Sequence, residues 1–201
     1  MKKSFARNLM MAIVAGLGGF TPTAFAQLDA NLASKFLDVA KSASDSQLGG
    51  IASELTGKVS SLSSVLGANS AITSKLESTL KSLTGDADSA ALTSAFKLAS
   101  VAKLTPEQLS LAKQVGNLAS AYVVQKNFAS LEGASGDVAT IVSSLRSGKI
   151  KDALTPLKNV AASAKLSETQ KQLITTIADK YAPSLSKAAG AVDSLKKIPG
   201  F

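Results

Sequence analysis

From Leu48 the apolar positions fall at Leu48, Ile51, Leu55, Val59, Leu62 and Leu66, in steps of three and four that place all six on one helical stripe. The next segment carries Ile72, Leu76, Leu80 and Leu83, with Asn69 as an N-cap and Gly85 as a stop. Further stripes read Leu92, Phe96 and Ala99, then Leu111, Val115, Leu118 and Tyr122, then Val138, Ile141, Val142 and Leu145. Two more follow, Leu173, Ile174, Ile177 and Tyr181, and finally Leu185, Ala188, Val192 and Leu195. No comparable stretch alternates with the two-residue period of a strand. Gly67, Gly85, Gly133 and Gly148 punctuate the stripes, as expected where a chain leaves a helix through a left-handed residue. The pattern predicts an all-α protein of about eight or nine amphipathic helices joined by short loops.

The pattern also repeats. "AKLTPEQ" at 102–108 returns as "AKLSETQ" at 164–170, and each copy reads as a helix start. Thr105 fits the N-cap, Pro106 the first helical position, Glu107 the positive end of the helix dipole, and Gln108 the residue that reaches back to the cap. Ser167 and Gln170 repeat the device, and "AKSASDSQL" at 40–48 offers a third, weaker copy through Ser44 and Gln47. The spacing is about 61–62 residues. At the same offset Leu83 matches Leu145, "ALT" at 91–93 matches "ALT" at 153–155, and Ala99 matches Ala161. The expected units are 29–88, 89–151 and 152–201, the last truncated. Pro156 stands where the earlier unit has Ser94 and should kink or restart its helix, while Pro183 should open a separate final helix. Two architectures accommodate such units, a closed helical bundle or a short open array, and three copies of uneven length favour the closed form.

The N-terminus changes which residues count. "MKKSFARNLMMAIVAGLGGFTPTAFAQ" has Lys2, Lys3 and Arg7 before an apolar run, then "AFA" before Gln27, the pattern of a bacterial secretory leader cut after Ala26. The run is shorter than the ~20 residues that span a bilayer, so a retained anchor is the poorer reading. Residues 1–26 are therefore expected to be a cleaved signal peptide, and 27–201 a single helical domain, periplasmic or secreted. Without Lys2, Lys3 and Arg7, 19 basic residues face the same 14 acidic ones, a formal charge of +5 in place of +8. The lysines are spread singly, Arg146 is the one arginine left, and the aromatics are Phe36, Phe96, Tyr122, Phe128, Tyr181 and Phe201. That is not the clustered, aromatic-laced stripe of a nucleic-acid binder.

Histidine and cysteine are absent from the sequence. This removes Ser-His-Asp triads, cysteine nucleophiles, and metal or haem sites built on either residue. A serine–lysine mechanism would need S-x-x-K, which occurs six times, among them Ser94/Lys97 and Ser110/Lys113, without the companion motifs of such enzymes. Six hits in a Ser- and Lys-rich chain read as coincidence. "DADSAALTSAFK" at 86–97 begins like a calcium loop but lacks the central glycine and the closing glutamate, so Asp88 or Ser89 is better read as an N-cap. "ELTGKV" at 54–59 lacks the first glycine of a phosphate loop, and Glu54, Glu77, Glu107, Glu132 and Glu168 are scattered. Tyr122 and Tyr181 occupy comparable places in successive units, where they either line a groove or sit half-buried with a wet hydroxyl.

No catalytic residue, metal or cofactor is expected. The sequence points to an exported, non-catalytic binding or structural scaffold whose partner is an envelope or extracellular protein or polymer. The first alternative is a carrier of an apolar small molecule or lipid between its helices. The second is a weak peripheral membrane binder using "LSKAAGAVDSLKKI" at 185–198, without stable insertion after cleavage.

Overall fold

Between Val115 and Gln125 nearly every side chain is buried, whichever way it points, because the helix that carries it runs through the middle of the molecule. The computed structural model describes residues 36, 38, 46–66, 70–85, 87–162 and 165–181. The described helices are α1 (Ser46–Leu66), α2 (Ser70–Thr84), α3 (Asp88–Leu98), α4 (Pro106–Phe128), α5 (Ser135–Ser147), α6 (Leu154–Ala161) and α7 (Glu168–Tyr181), with a 3-10 turn at Ile150–Ala153. No strand occurs among the described residues, and the fold is an all-helical bundle. The signal segment, Ser44, Asn69, Gly67, Pro183 and the stripe at 185–195 lie outside the described residues.

Central α4 packs along α1, α3 and α5, while α2 lies on α3. The stripe of α1 predicted from spacing is buried throughout, as are Ile72, Leu76, Leu80 and Leu83 of α2 and Val138, Ile141, Val142 and Leu145 of α5. Phe36, in a helical turn upstream of α1, is also in the core, its ring centroid 5.4 Å from that of Tyr122. On α4 the single expected stripe is too narrow, since small residues such as Ala112, Gly116, Ala119 and Ala121 bury the remaining faces against neighbours on several sides. Small side chains also let backbones meet: a Cβ placed on Gly116 would stand 2.7 Å from the carbonyl oxygen of Ala95 on α3.

A Ser- and Thr-rich helical bundle must place many hydroxyls, and several of them bond to their own helix. Thr56 donates to the carbonyl of Ala52 (2.8 Å), Thr79 to Lys75 (2.8 Å), Ser120 to Gly116 (2.7 Å) and Thr176 to Gln172 (2.8 Å). The i−4 carbonyl thus satisfies a hydroxyl that would otherwise need water. This is how Thr79 and Ser120 are tolerated in the core.

Of the described glycines expected to end helices in a left-handed conformation, Gly85 follows α2 without a positive φ, whereas Gly133 and Gly148 are left-handed. Gly133 and Gly148 adopt φ of +75° and +71°, and the Gly148 N–H returns to the Leu145 carbonyl as α5 ends. Pro156 restarts the helix as expected: the 3-10 turn precedes α6, which places the proline in its first turn. One local reading needs correction. Ala87, not Asp88 or Ser89, is the N-cap of α3, and it makes no side-chain cap hydrogen bond. Asp88 instead turns inward, 6% exposed, and accepts from Lys126 Nζ (3.1 Å) and Asn127 Nδ2 (3.0 Å), tying the start of α3 to the end of α4.

Candidate binding cleft between α3 and α7

Both copies of the repeated heptapeptide form closed capping boxes. Thr105 Oγ1 accepts from the Gln108 N–H (3.2 Å), while Gln108 Oε1 accepts from the Thr105 N–H (3.0 Å). Ser167 and Gln170 make the same pair of bonds at 3.2 and 2.9 Å. The glutamines do more than cap. Gln108 Nε2 donates to the carbonyl of Val65 at the end of α1, and Gln170 Nε2 to that of Asn127 at the end of α4, both at 2.7 Å and both 43 residues back along the chain. Each box therefore pins a helix start to the finish of an earlier long helix. Ser44 of the upstream copy is outside the described residues, and Gln47 lies on the first exposed turn of α1.

Pinned at its N-terminus in this way, α7 lies along α3 and touches α4 only slightly. Its buried face is Leu173, Ile174, Ile177 and Ala178. Tyr181 at its end meets Phe96 of α3 edge to face, with ring centroids 5.3 Å apart and planes at 79°. Lys180 Nζ stands 6.0 Å from the Phe96 centroid. Burial pushes the Tyr181 phenol up to about 12. The fully buried face of α3 is Ala91, Leu92, Ala95 and Leu98, while Phe96 of the expected stripe is partly buried, packed at the edge of the core against Tyr181 of α7.

The seam between α3 and α7 is a cleft. At its deepest end is a cavity of about 310 Å³, floored by Ala95, Ala99, Ala112 and Gly116 and walled by Phe96, Tyr181, Lys113, Asn117 and Lys180. The floor is low because three alanines and a glycine occupy the point where α3 lies against α4. A second cavity of about 390 Å³ shares Phe96, Ser100 and Lys180 and adds Lys97 and Asp179. A third, about 440 Å³, shares Thr176 with the second and reaches Ser89, Glu168 and Lys171 at the start of α7. The described ion pairs are elsewhere or at the far end: Lys126–Asp88, Arg146–Glu54, Lys165–Glu132 and Lys171–Glu168. Lys97, Lys113 and Lys180 make no ion pair among the described residues.

The two tyrosines differ in environment. Tyr122 is 1% exposed and packed against Phe36 with the rings tilted by 57°, not half-buried, and its phenol is raised first by burial and then by the Asp88 carboxylate. Tyr181 is the tyrosine that lines a groove. It also falls three residues out of the 62-residue register from Tyr122, so the two are not equivalent positions. Ser110 Oγ of one S-x-x-K pair accepts from Gln114 Nε2 at 3.3 Å. No group of three or more acidic, histidine or cysteine residues suited to a metal ion occurs among the described residues, and no described helix is long and apolar enough to cross a membrane. No protein-family model, curated protein or solved structure matches the chain.

Proposed function

We propose that the protein is an exported, non-catalytic binding scaffold of the bacterial envelope or its surroundings, and that the α3–α7 cleft is its working face. The observation that carries this reading is the coincidence of a cleft with lysines that make no ion pair among the described residues. A solvated surface lysine costs nothing, but Lys113 and Lys180 around one cavity and Lys97 with Lys180 around the next, beside the half-buried Phe96–Tyr181 pair, form a recognition surface for a partner of opposite charge. The leader-like residues 1–26 support export, and the lack of histidine and cysteine supports binding over catalysis.

The same proposal includes a duplicated unit of 61–62 residues and a full complement of eight or nine helices. Its support is the pair of glutamine contacts: Gln108 to Val65 and Gln170 to Asn127 are related by one offset at both ends. In this view the second and third units each carry a capped helix whose glutamine is fastened to the end of the helix one offset earlier, α4 to α1 and α7 to α4. A carrier role for an apolar small molecule is the second reading, favoured by the alanine-floored cavity beside Phe96.

The test is saturable binding of the purified protein to isolated envelope material, compared with a Lys97→Glu/Lys113→Glu/Lys180→Glu triple variant. Saturable uptake by the parent protein that the triple variant loses supports the cleft as the working face. Uptake that never saturates, or that the variant retains, removes it. N-terminal sequencing of the exported product should begin at Gln27, and a product that still carries Met1 would refute cleavage after Ala26.

A further inference from the structure

We propose that the deep end of the cleft binds a small anionic amphiphile, a carboxylate attached to a short alkyl body; the inference rests on the reading of the α3–α7 seam as the binding face. Its shape sets the body. The floor is alanine methyls and the Gly116 backbone, one wall is the Phe96–Tyr181 pair, and none of these offers a charge. Against these surfaces an apolar group gains by displacing water, and Ser100 and the Tyr181 hydroxyl add polar atoms elsewhere in the lining. A volume of about 310 Å³ corresponds to about ten water volumes, so the body that fits is on the order of ten non-hydrogen atoms.

Charge and hydrogen bonding set the head group. Lys113 and Asn117 lie one turn apart on α4 and line the cavity together with Lys180 of α7. Lys180 is engaged only by the Phe96 ring, and Lys113 and Asn117 make no side-chain hydrogen bond among the described residues. Lys97 and Asp179 add one charge of each sign in the adjoining cavity, so the local balance stays positive. Two ammonium groups and an amide N–H around one cavity can donate to both oxygens of a carboxylate, whereas a neutral hydroxyl accepts fewer of these hydrogen bonds and without charge assistance. Two cations also argue against a cationic amphiphile, which like-charge repulsion would exclude.

The test is calorimetric titration of the purified protein with octanoate and with octan-1-ol, together with methyl NMR of the alanine residues. Octanoate should bind saturably with one site, shifting the Ala99 and Ala112 methyl signals, and octan-1-ol should bind about tenfold more weakly or worse. Lys113→Gln/Lys180→Gln, surface changes that leave the core untouched, should bring octanoate down to the level of the alcohol. Ala99→Phe should block both. Absence of octanoate binding, equal binding of acid and alcohol, or binding unchanged in the lysine double variant would each overturn the proposal. If octanoate fails while envelope binding is still lost in the Lys97/Lys113/Lys180 variant, the ligand class is wrong and the working face stands. If both fail, the cleft is not a binding face.

Discussion

At the scale of single residues, the glutamines of the two capping boxes explain a choice that capping alone leaves open. A capping box accepts Glu or Gln at its third position, because only the side-chain oxygen reaches back to the cap. Here the amide nitrogen is used as well, donating at 2.7 Å to Val65 or Asn127. A carboxylate would keep the cap and set a negative oxygen against a carbonyl. Gln108→Glu and Gln170→Glu should therefore each lower stability by about 1–2 kcal/mol in chemical denaturation. Loss of the cap itself through Thr105→Ala or Ser167→Ala should cost about 0.5–2 kcal/mol. If the glutamate variants proved as stable as the parent, the second hydrogen bond would have no energetic role. Glycine offers a matched pair of the same kind. Gly116 has Ala95's carbonyl oxygen 2.7 Å from where a Cβ would stand, whereas Gly57 in α1 has nothing within 4 Å. Gly57→Ala should gain up to about 1 kcal/mol from helix propensity. Gly116→Ala should lose about 1–3 kcal/mol, because backbone blocks the methyl and α3 must shift. Opposite signs of change in midpoint are the expected result, and equal signs would refute the close approach.

At the scale of elements, α7 shows how far periodicity carries and where it stops. The spacing of Leu173, Ile174 and Ile177 was sufficient to find its core face, just as simple three-and-four steps found those of α1, α2 and α5. Spacing does not separate Phe96, partly buried at the edge of the core, from the fully buried Leu92, because α3 has apolar residues on two faces and a stripe gives no sign of which one lies deeper. It also read Asp88 as a cap, since a carboxylate at a helix start suits the dipole whether it caps or turns inward, and its partners Lys126 and Asn127 are 38 and 39 residues away. The cleft was illegible for the same reason: it joins residues of α3, α4 and α7 that no local pattern connects. The closed caps were legible because every partner within them lies three residues away. The packing of α7 on α3 has a measurable consequence. With the Tyr181 phenol raised to about 12 from 10, the folded chain holds its proton where the unfolded chain has begun to lose it. Its contribution to stability is thus fully present below pH 10 and is lost as pH rises through about 12. Absorbance titration of Tyr122→Phe, which leaves Tyr181 as the sole tyrosine, should give a midpoint near that higher value, and a midpoint at 10 would place the ring in water.

At the scale of the whole molecule, the question is whether the proposed units would fold as an array or as one body. In an array each unit touches only its neighbours, and stability is a sum of local terms that can be lost in stages. The hydrogen bonds of Gln108 and Gln170 obey the repeat, but the packing departs from it. Helix α1 lies along α4, whereas α7, the counterpart of α4 at the same offset, lies along α3 and barely meets α4. The helix at the centre therefore draws its neighbours from both units, and its loss would expose α1, α3 and α5 together. Cooperative unfolding of one body follows from that arrangement. The two tyrosines report on it separately, Tyr122 from the core beside Phe36 and Tyr181 from the end of α7. Denaturant curves followed by tyrosine fluorescence in Tyr122→Phe and in Tyr181→Phe should each coincide with helix loss measured by far-ultraviolet circular dichroism on the same variant. An earlier transition at Tyr181 would mean that α7 is held as a terminal unit by its cap and Phe96 alone, and that the array description governs stability as well as sequence.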